Sequence, residues 1–464
     1  MMKKYKSIFV LILLFVTANV AVSQNVVING KVNEADALIR LLTYNDMLTY
    51  EQTLAYETKS DAEGNFTIEK NIDGITLAQI AVNLERIEIL IKPESTYTIE
   101  ITIPEQEKNI SYFERQTLSL KMIEENDDDL YYQYYMSNII IDDFVLNNFN
   151  QLYRGRKLSL LDTLDVEIKN IMGELKSDFV KENVRYRKAA IQMMVNNDNA
   201  KKVTNQYFNK QEILYSQPAY MNLFQEIFTT YLTSRQFNPS DLRYMLYTSY
   251  DKFVNYLKVN DVFLAENQNL AELIIAWNLR RMYYEMPDDK MYILEYLKTI
   301  GQTTKNQNNK RIVDDILKQM NRLSFNSEAP QFSLKGNNDD VVNLSDFNDD
   351  MILVQFVNGV SNMTDYQFEL LKGFSNQWQD TIQIVTIATK ESYDDFKHLF
   401  EKNNYRWTLL NLDNEILLLE KYQVKTFPDY VIIGKNGKIG MSPAPTPEQY
   451  LDFHVRRLYK YYKN

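Results

Sequence analysis

The run Ile352-Leu353-Val354-Gln355-Phe356-Val357 constrains the fold more than any other stretch of the chain. It is short, apolar and β-branched enough to form a strand buried inside a core. It passes through Asn358-Gly359-Val360-Ser361-Asn362-Met363-Thr364 into a helical pattern that places Phe368, Leu371 and Phe374 on one side. Farther on, Thr426-Phe427-Pro428-Asp429 leads into a second apolar run, Tyr430 to Ile433, and Lys435-Asn436-Gly437-Lys438 has the composition of a hairpin turn.

Upstream of the first run, Ala329-Pro330-Gln331-Phe332-Ser333-Leu334 and Val341-Val342-Asn343-Leu344-Ser345-Asp346-Phe347 read as an opening hairpin. This order of elements resembles the thioredoxin fold, and more closely the periplasmic TlpA/ResA-like thiol-disulfide oxidoreductases, over residues 328–464. In that family the strand runs into a Cys-x-x-Cys helix, whose N-terminus lowers the pKa of the first cysteine so that thiolate exists near neutral pH. The corresponding residues here are Ser361-Asn362-Met363-Thr364. A serine hydroxyl does not exchange with a disulfide, and Thr364 cannot act as the resolving thiol. The resemblance also places Gln355 where thioredoxin has a buried acid that helps to move the proton, and a neutral amide cannot relay it. What it retains is the loop at Phe427 and Pro428, where the family has a cis-proline and the preceding residue's backbone pairs with bound peptide. Two readings of that loop stay open: a peptide-binding edge, or a bend kept only for the fold. Ser361 also has two readings, a helix N-cap or a hydrolase nucleophile, and the second needs a base that the sequence does not place nearby.

The chain contains no cysteine, which excludes disulfides, thiolate metal sites, cysteine nucleophiles and lipid attachment at a cysteine. Its two histidines, His398 and His454, both fall in helical patterns and suggest surface or packing roles rather than metal ligation. No metal or cofactor site is expected. Gly is scarce, and neither a GxGxxG nor a GxxxxGK[ST] motif occurs, so a phosphate-cradling loop is not expected.

The N-terminus reads as an export signal: Lys3, Lys4 and Lys6, an apolar run from Ile8 to Val22, and small residues before Gln24. Removing residues 1–23 takes three positive charges from a net of −11 and leaves −14. A body this acidic is a poor partner for nucleic acid or anionic membranes, and no stable membrane insertion is expected after cleavage.

Residues 24–104 alternate with period two between frequent turns, as in Val26-Val27-Ile28-Asn29-Gly30-Lys31-Val32 and Tyr97-Thr98-Ile99-Glu100-Ile101-Thr102-Ile103, which predicts a small antiparallel β-sandwich. The layout of Ile28-Asn29-Gly30 and Ser60-Asp61-Ala62-Glu63-Gly64-Asn65-Phe66 resembles the β-domain that often precedes a thioredoxin-like domain in exported bacterial proteins. Residues 105–323 carry helical stripes such as Tyr220, Phe224, Ile227, Phe228 and Tyr231, which predict an all-α domain. Within it, the acidic run Glu124 to Asp129 lacks the ligand spacing of a calcium loop, and Tyr131, Tyr132, Tyr134 and Tyr135 suit helix packing or the stacking of a sugar. Ser324 to Pro330 breaks the pattern and reads as a linker.

The sequence therefore predicts a multidomain α+β protein: an N-terminal antiparallel β-sandwich, a central all-α domain and a C-terminal thioredoxin-like α/β domain. The expected function is a redox-inactive, non-catalytic protein-binding or assembly module in the periplasm or cell envelope of a Gram-negative bacterium, exported and not a lipoprotein, with a protein or peptide partner. Two alternatives stand beside it: a peptide-holding chaperone working through Phe427 and Pro428, and an enzyme of non-thiol chemistry using carboxylates of the helical domain.

Overall fold

The computed structural model describes residues 25–104, 118–123, 130–195, 200–234, 236–337, 340–347, 350–378 and 381–463. The export signal and the acidic run Glu124 to Asp129 lie outside the described residues.

Eight strands build the N-terminal part: β1 (Asn25–Val32), β2 (Leu38–Tyr44), β3 (Gln52–Lys59), β4 (Asn65–Asn71), β5 (Thr76–Val82), β6 (Glu85–Ile91), β7 (Thr96–Thr102) and β8 (Ser119–Met122). They form two four-stranded sheets, β4-β1-β7-β8 and β3-β2-β5-β6. All pairs are antiparallel except β1 with β7. Period-two alternation sends Val26, Ile28, Ile39, Leu41, Ile80, Ile89 and Ile99 into one core between the sheets. Strand β8 lies in a stretch whose surroundings read as helical. It is too short for a helix, and Leu120 and Met122 alternate onto the sandwich core while Ser119 and Lys121 face out.

Eleven α-helices follow among the described residues, from α1 (Leu130–Asn147) through α5 (Pro218–Phe228) and α9 (Gln268–Glu285) to α10 (Lys290–Thr303) and α11 (Gln307–Asn321). The predicted stripes are their packing seams: Tyr220, Phe224, Phe228, Leu273, Ile274, Ile293, Leu297, Ile312 and Ile316 share one large apolar cluster. Tyr134 is buried in that cluster and Tyr135 packs against it, while Tyr131 packs on the sandwich core, so this tyrosine group serves helix docking. The cluster also takes in Met47, Leu48, Leu77 and Leu90 from the β-strands and their loops. Full burial of a leucine side chain stabilises by about 1.5–3 kcal/mol, so sandwich and helices are joined by a common core.

The C-terminal domain is a seven-stranded sheet, β10-β9-β13-β12-β11-β14-β15, built from β9 (Ser333–Gly336), β10 (Val341–Asn343), β11 (Met351–Val357), β12 (Ile382–Ala388), β13 (Thr408–Asn411), β14 (Asp429–Ile433) and β15 (Ile439–Met441). Four helices accompany it: α12 (Asn362–Trp378), α13 (Tyr393–Asn403), α14 (Ile416–Lys421) and α15 (Leu451–Lys463). Strand β11 is buried along its whole length, parallel to β12 and antiparallel to β14. Its residues alternate between two cores: Ile352, Val354 and Phe356 pack with Leu418, Leu419 and Tyr422, while Met351 and Leu353 pack with Leu371, Val455 and Leu458. Between β14 and β15, Asn436 and Gly437 both have positive φ, the backbone that an Asn-Gly hairpin turn requires.

The segment 324–330 is not a loose tether. Asn326 N–H donates to the Ile439 carbonyl (2.7 Å), Ile439 N–H to Ser327 (2.8 Å) and Ala329 N–H to Gly437 (2.9 Å). Leu323 and Ala329 are buried in the C-terminal core. The stretch lacks helical residues, but its backbone groups find partners along the edge of the last hairpin.

Candidate functional site

Helix α12 begins where buried β11 emerges from the sheet. Gly359 turns the chain with φ of +73°, and the Ser361 hydroxyl accepts from Thr364 N–H at 3.2 Å, an N-cap interaction that satisfies one of the free amides of the first turn. The Ser361 and Thr364 hydroxyls lie 2.9 Å apart, and Thr364 also donates to the Gly359 carbonyl at 3.4 Å. Thr364 is buried and Ser361 is exposed. The serine is thus bound to the threonine and not to an imidazole. His398 stands on α13 with its side chain 83 % exposed, 4.0 Å from Glu401, and His454 sits edge-on to Phe453 in α15.

Behind this turn a buried chain of polar groups runs through the sheet. Trp407 Nε1–H donates to Thr386 Oγ1 (3.0 Å), and Thr386 donates to Gln355 Oε1 (3.1 Å). Gln355 Nε2 then donates to Tyr430 Oη (2.7 Å), Tyr430 to Gln367 Oε1 (2.9 Å), and Gln367 Nε2 to the exposed Glu448 carboxylate (3.0 Å). Gln355 and Thr386 are fully buried. Each donor finds one acceptor, so burial costs little here. Burial pushes the Tyr430 hydroxyl well above its ordinary pKa, despite the opposing Gln355 hydrogen bond, and it stays a neutral donor. Gln367, Tyr430 and Glu448 were not apparent from the sequence, because only the fold brings these separated segments together.

The Phe427-Pro428 bond is cis, as is Ser442-Pro443. Phe427 is half-buried and packs on the cluster that holds Tyr422 and Val424, and Pro428 is half-buried at the head of β14. The next residue, Asp429, has a carboxyl raised by burial and an oxygen that accepts from Tyr430 N–H at 2.8 Å. On the first turns of α12 and its lead-in, three large apolar side chains face solvent: Val360 (40 % exposed), Met363 (58 %) and Tyr366 (54 %). Spaced by three residues, they line one side of the turn that carries Ser361.

The helical part offers less chemistry. A cavity of about 740 Å³ there is lined by amides such as Gln211, Gln268, Asn269 and Asn306, and Glu266 within it is paired with Lys210 at 3.1 Å. Two of the helical part's buried acids are engaged: Asp261 accepts from Tyr231 Oη at 2.7 Å, and Asp289 is 2.9 Å from Arg243 Nε. Among the described residues no three His, Asp or Glu side chains converge to hold a metal ion, and no helix is long and apolar enough to cross a membrane.

Residues 348–439 match the profile of a family described as thioredoxin-like (Thioredoxin_8). No curated protein matches the chain. Similar solved structures include the thioredoxin domain of a thiol-disulfide oxidoreductase from Bacteroides vulgatus, 20 % identical, covering 29 % of this chain and 98 % of that one, with a TM-score of 0.27. A thiol:disulfide interchange protein from Bacteroides sp. is 23 % identical over 31 % of this chain and 93 % of that one (TM-score 0.27). An exposed lipoprotein thioredoxin of Streptococcus pneumoniae is 21 % identical over 28 % of this chain and 100 % of that one (TM-score 0.25).

Proposed function

We propose that this is a redox-silent thioredoxin-like protein of the Gram-negative periplasm or cell envelope that binds a protein or peptide partner through the turn at residues 360–366 and the Phe427-Pro428 loop. The observation that carries this reading is the pairing of Ser361 and Thr364 hydroxyls at the head of α12, 2.9 Å apart, beneath exposed Val360, Met363 and Tyr366. Hydroxyls supply a capped helix and no nucleophile able to exchange with a disulfide. Solvent-exposed Met and Tyr side chains bring adaptable apolar area to an interface. The neutral chain through Gln355 and Tyr430 fits a scaffold that holds this surface still and moves no proton.

The test is photo-crosslinking in the native host, with a photoreactive residue replacing Met363 and, as a control, Val259, which is 74 % exposed on the helical part. One discrete adduct at position 363 and none at 259 is the expected result. A ladder of many adducts at 363 supports the peptide-holding reading of the same surface. Equal yields at both positions overturn both readings.

A further inference from the structure

The outer face of sheet β3-β2-β5-β6 meets two different neighbours. At one end Leu77 and Leu90 enter the apolar cluster of the helices. On the same face a single rung aligns Arg40 of β2, Ala81 of β5 and Arg86 of β6. Strands lie about 4.8 Å apart, so the two arginines start roughly 10 Å from each other with only a methyl group between them. Across this rung lies α14 of the C-terminal domain, with Glu415 just before it and Glu420 within it.

Each arginine meets one of those carboxylates. Arg40, with its side chain 3 % exposed, reaches Glu415 at 2.5 Å and the Asn414 carbonyl at 2.8 Å, and is steadied by Glu57 of its own sheet at 2.7 Å. Arg86 pairs with Glu420 at 2.8 Å while Gln52 accepts from its other nitrogen at 3.1 Å. Among the described residues no buried apolar cluster spans the sandwich and the C-terminal domain. Instead a cavity of about 750 Å³ lies at their junction, lined by Arg40, Arg86, Lys318, Arg322, Glu415 and Glu420 among others. It opens the half-exposed carboxylates of Glu415 and Glu420 to water and salt.

The covalent connection is equally slight. Helix α11 ends at Asn321, Leu323 is already in the C-terminal core, and segment 324–330 is bonded to that domain, so the pivot is Arg322 with Leu323, whose φ is +59°. Arg322 is itself held by charge, 2.6 Å from Glu51 in the β2–β3 loop. We infer that the C-terminal domain is a rigid unit latched onto the N-terminal sheet by the Arg40–Glu415 and Arg86–Glu420 pairs, and that it swings free about Arg322 when those charges are screened or reversed.

Because the chain has no cysteine, the full-length protein can be labelled at two introduced ones, Glu63→Cys in the sandwich and Lys402→Cys on α13, both exposed positions. The inter-label distance distribution is read by electron–electron resonance at about 0.1 M and about 1 M salt, between which the screening length falls from about 10 Å to about 3 Å. One short distance is expected at low salt, with a longer population rising several-fold at high salt. Glu415→Lys/Glu420→Lys changes side chains that are 42 % and 46 % exposed, leaves the C-terminal core intact, and should make the longer population dominant already at low salt. The swap Arg86→Glu/Glu420→Arg, which exchanges the charges of one pair and leaves Arg40–Glu415 in place, should keep the short distance that Glu420→Arg alone partly loses. An unchanged distribution in Glu415→Lys/Glu420→Lys overturns the latch, as does a swapped chain as open as Glu420→Arg alone.

Discussion

Replacing Gln355 by Leu removes the centre of the buried polar chain while nearly preserving side-chain volume. Two hydrogen bonds vanish, one accepted from Thr386 at 3.1 Å and one donated to Tyr430 at 2.7 Å. Tyr430 keeps its donation to Gln367, so its loss is mild, whereas the fully buried Thr386 hydroxyl is left without its acceptor. An unmet buried donor costs about 1–3 kcal/mol and an ordinary lost bond about 1 kcal/mol, which sets the expected destabilisation of the C-terminal domain at about 2–4 kcal/mol. Thr386→Val alone strands Gln355 and takes the acceptor from Trp407. With both substitutions no buried group between positions 355 and 386 is stranded, so the double variant should cost at least about 1 kcal/mol less than the sum of the singles. Urea unfolding followed by tryptophan fluorescence suits the measurement, because two of the three tryptophans, Trp378 and Trp407, lie in this domain. Strict additivity of the two single costs would refute the reasoning, since it would mean that the two side chains do not share a hydrogen bond.

Burial opposes ionisation of Glu51, but Lys318, Gln319 and Arg322 outweigh it and hold its carboxyl below the usual range. A depressed carboxylate adds stability above its unfolded pKa of about 4.3 and loses it as pH falls through the folded value, so Glu51→Gln should cost about 1.5–3 kcal/mol at neutral pH and nothing in strong acid, checked by denaturant melts across pH. Asp315 behaves oppositely: burial, with Asp46 and Glu51 nearby, pushes its carboxyl up, and one of its oxygens has no hydrogen-bond partner. Its charging therefore weakens the fold as pH rises above about 3.9, and Asp315→Asn should gain thermal stability relative to the parent between about pH 4 and pH 7. At Gly30 an added Cβ would lie 2.0 Å from the Phe66 ring, so Gly30→Ala should displace that ring from the sandwich core and cost about 1–3 kcal/mol by thermal melting.

Local patterns carried the elements that depend on local causes. Strand β11 was legible because every residue from Met351 to Val357 is buried, and the Asn436-Gly437 turn because its backbone demands those residue types. Ser361 as a helix cap was legible as well. The polar chain was legible only at Gln355, and there only through the resemblance; Gln367 and Tyr430 look unremarkable until the fold joins β11, α12 and β14. Arg40 was hidden for the same reason: its carboxylate partner Glu415 lies 375 residues away, and alternation within β2 says only that the side chain leaves the sandwich core. Segment 324–330 looked free because composition records the absence of helix formers and not the edge of β15 beside it.

The central claim, a thioredoxin frame without thiol chemistry, is tested most directly by disulfide reduction. The Ser361 and Thr364 hydroxyls stand 2.9 Å apart, so cysteines at both positions need only small side-chain rotations to reach the S–S length of about 2.05 Å. The measurement compares turnover of a model disulfide substrate, with a small dithiol as reductant, by the parent protein and by Ser361→Cys/Thr364→Cys. We expect the parent to match the reductant alone, and the double variant to form its disulfide, lose two hydrogens by intact mass, and exceed the reductant. Turnover by the parent above the reductant, or a double variant that cannot close its disulfide, would contradict the account.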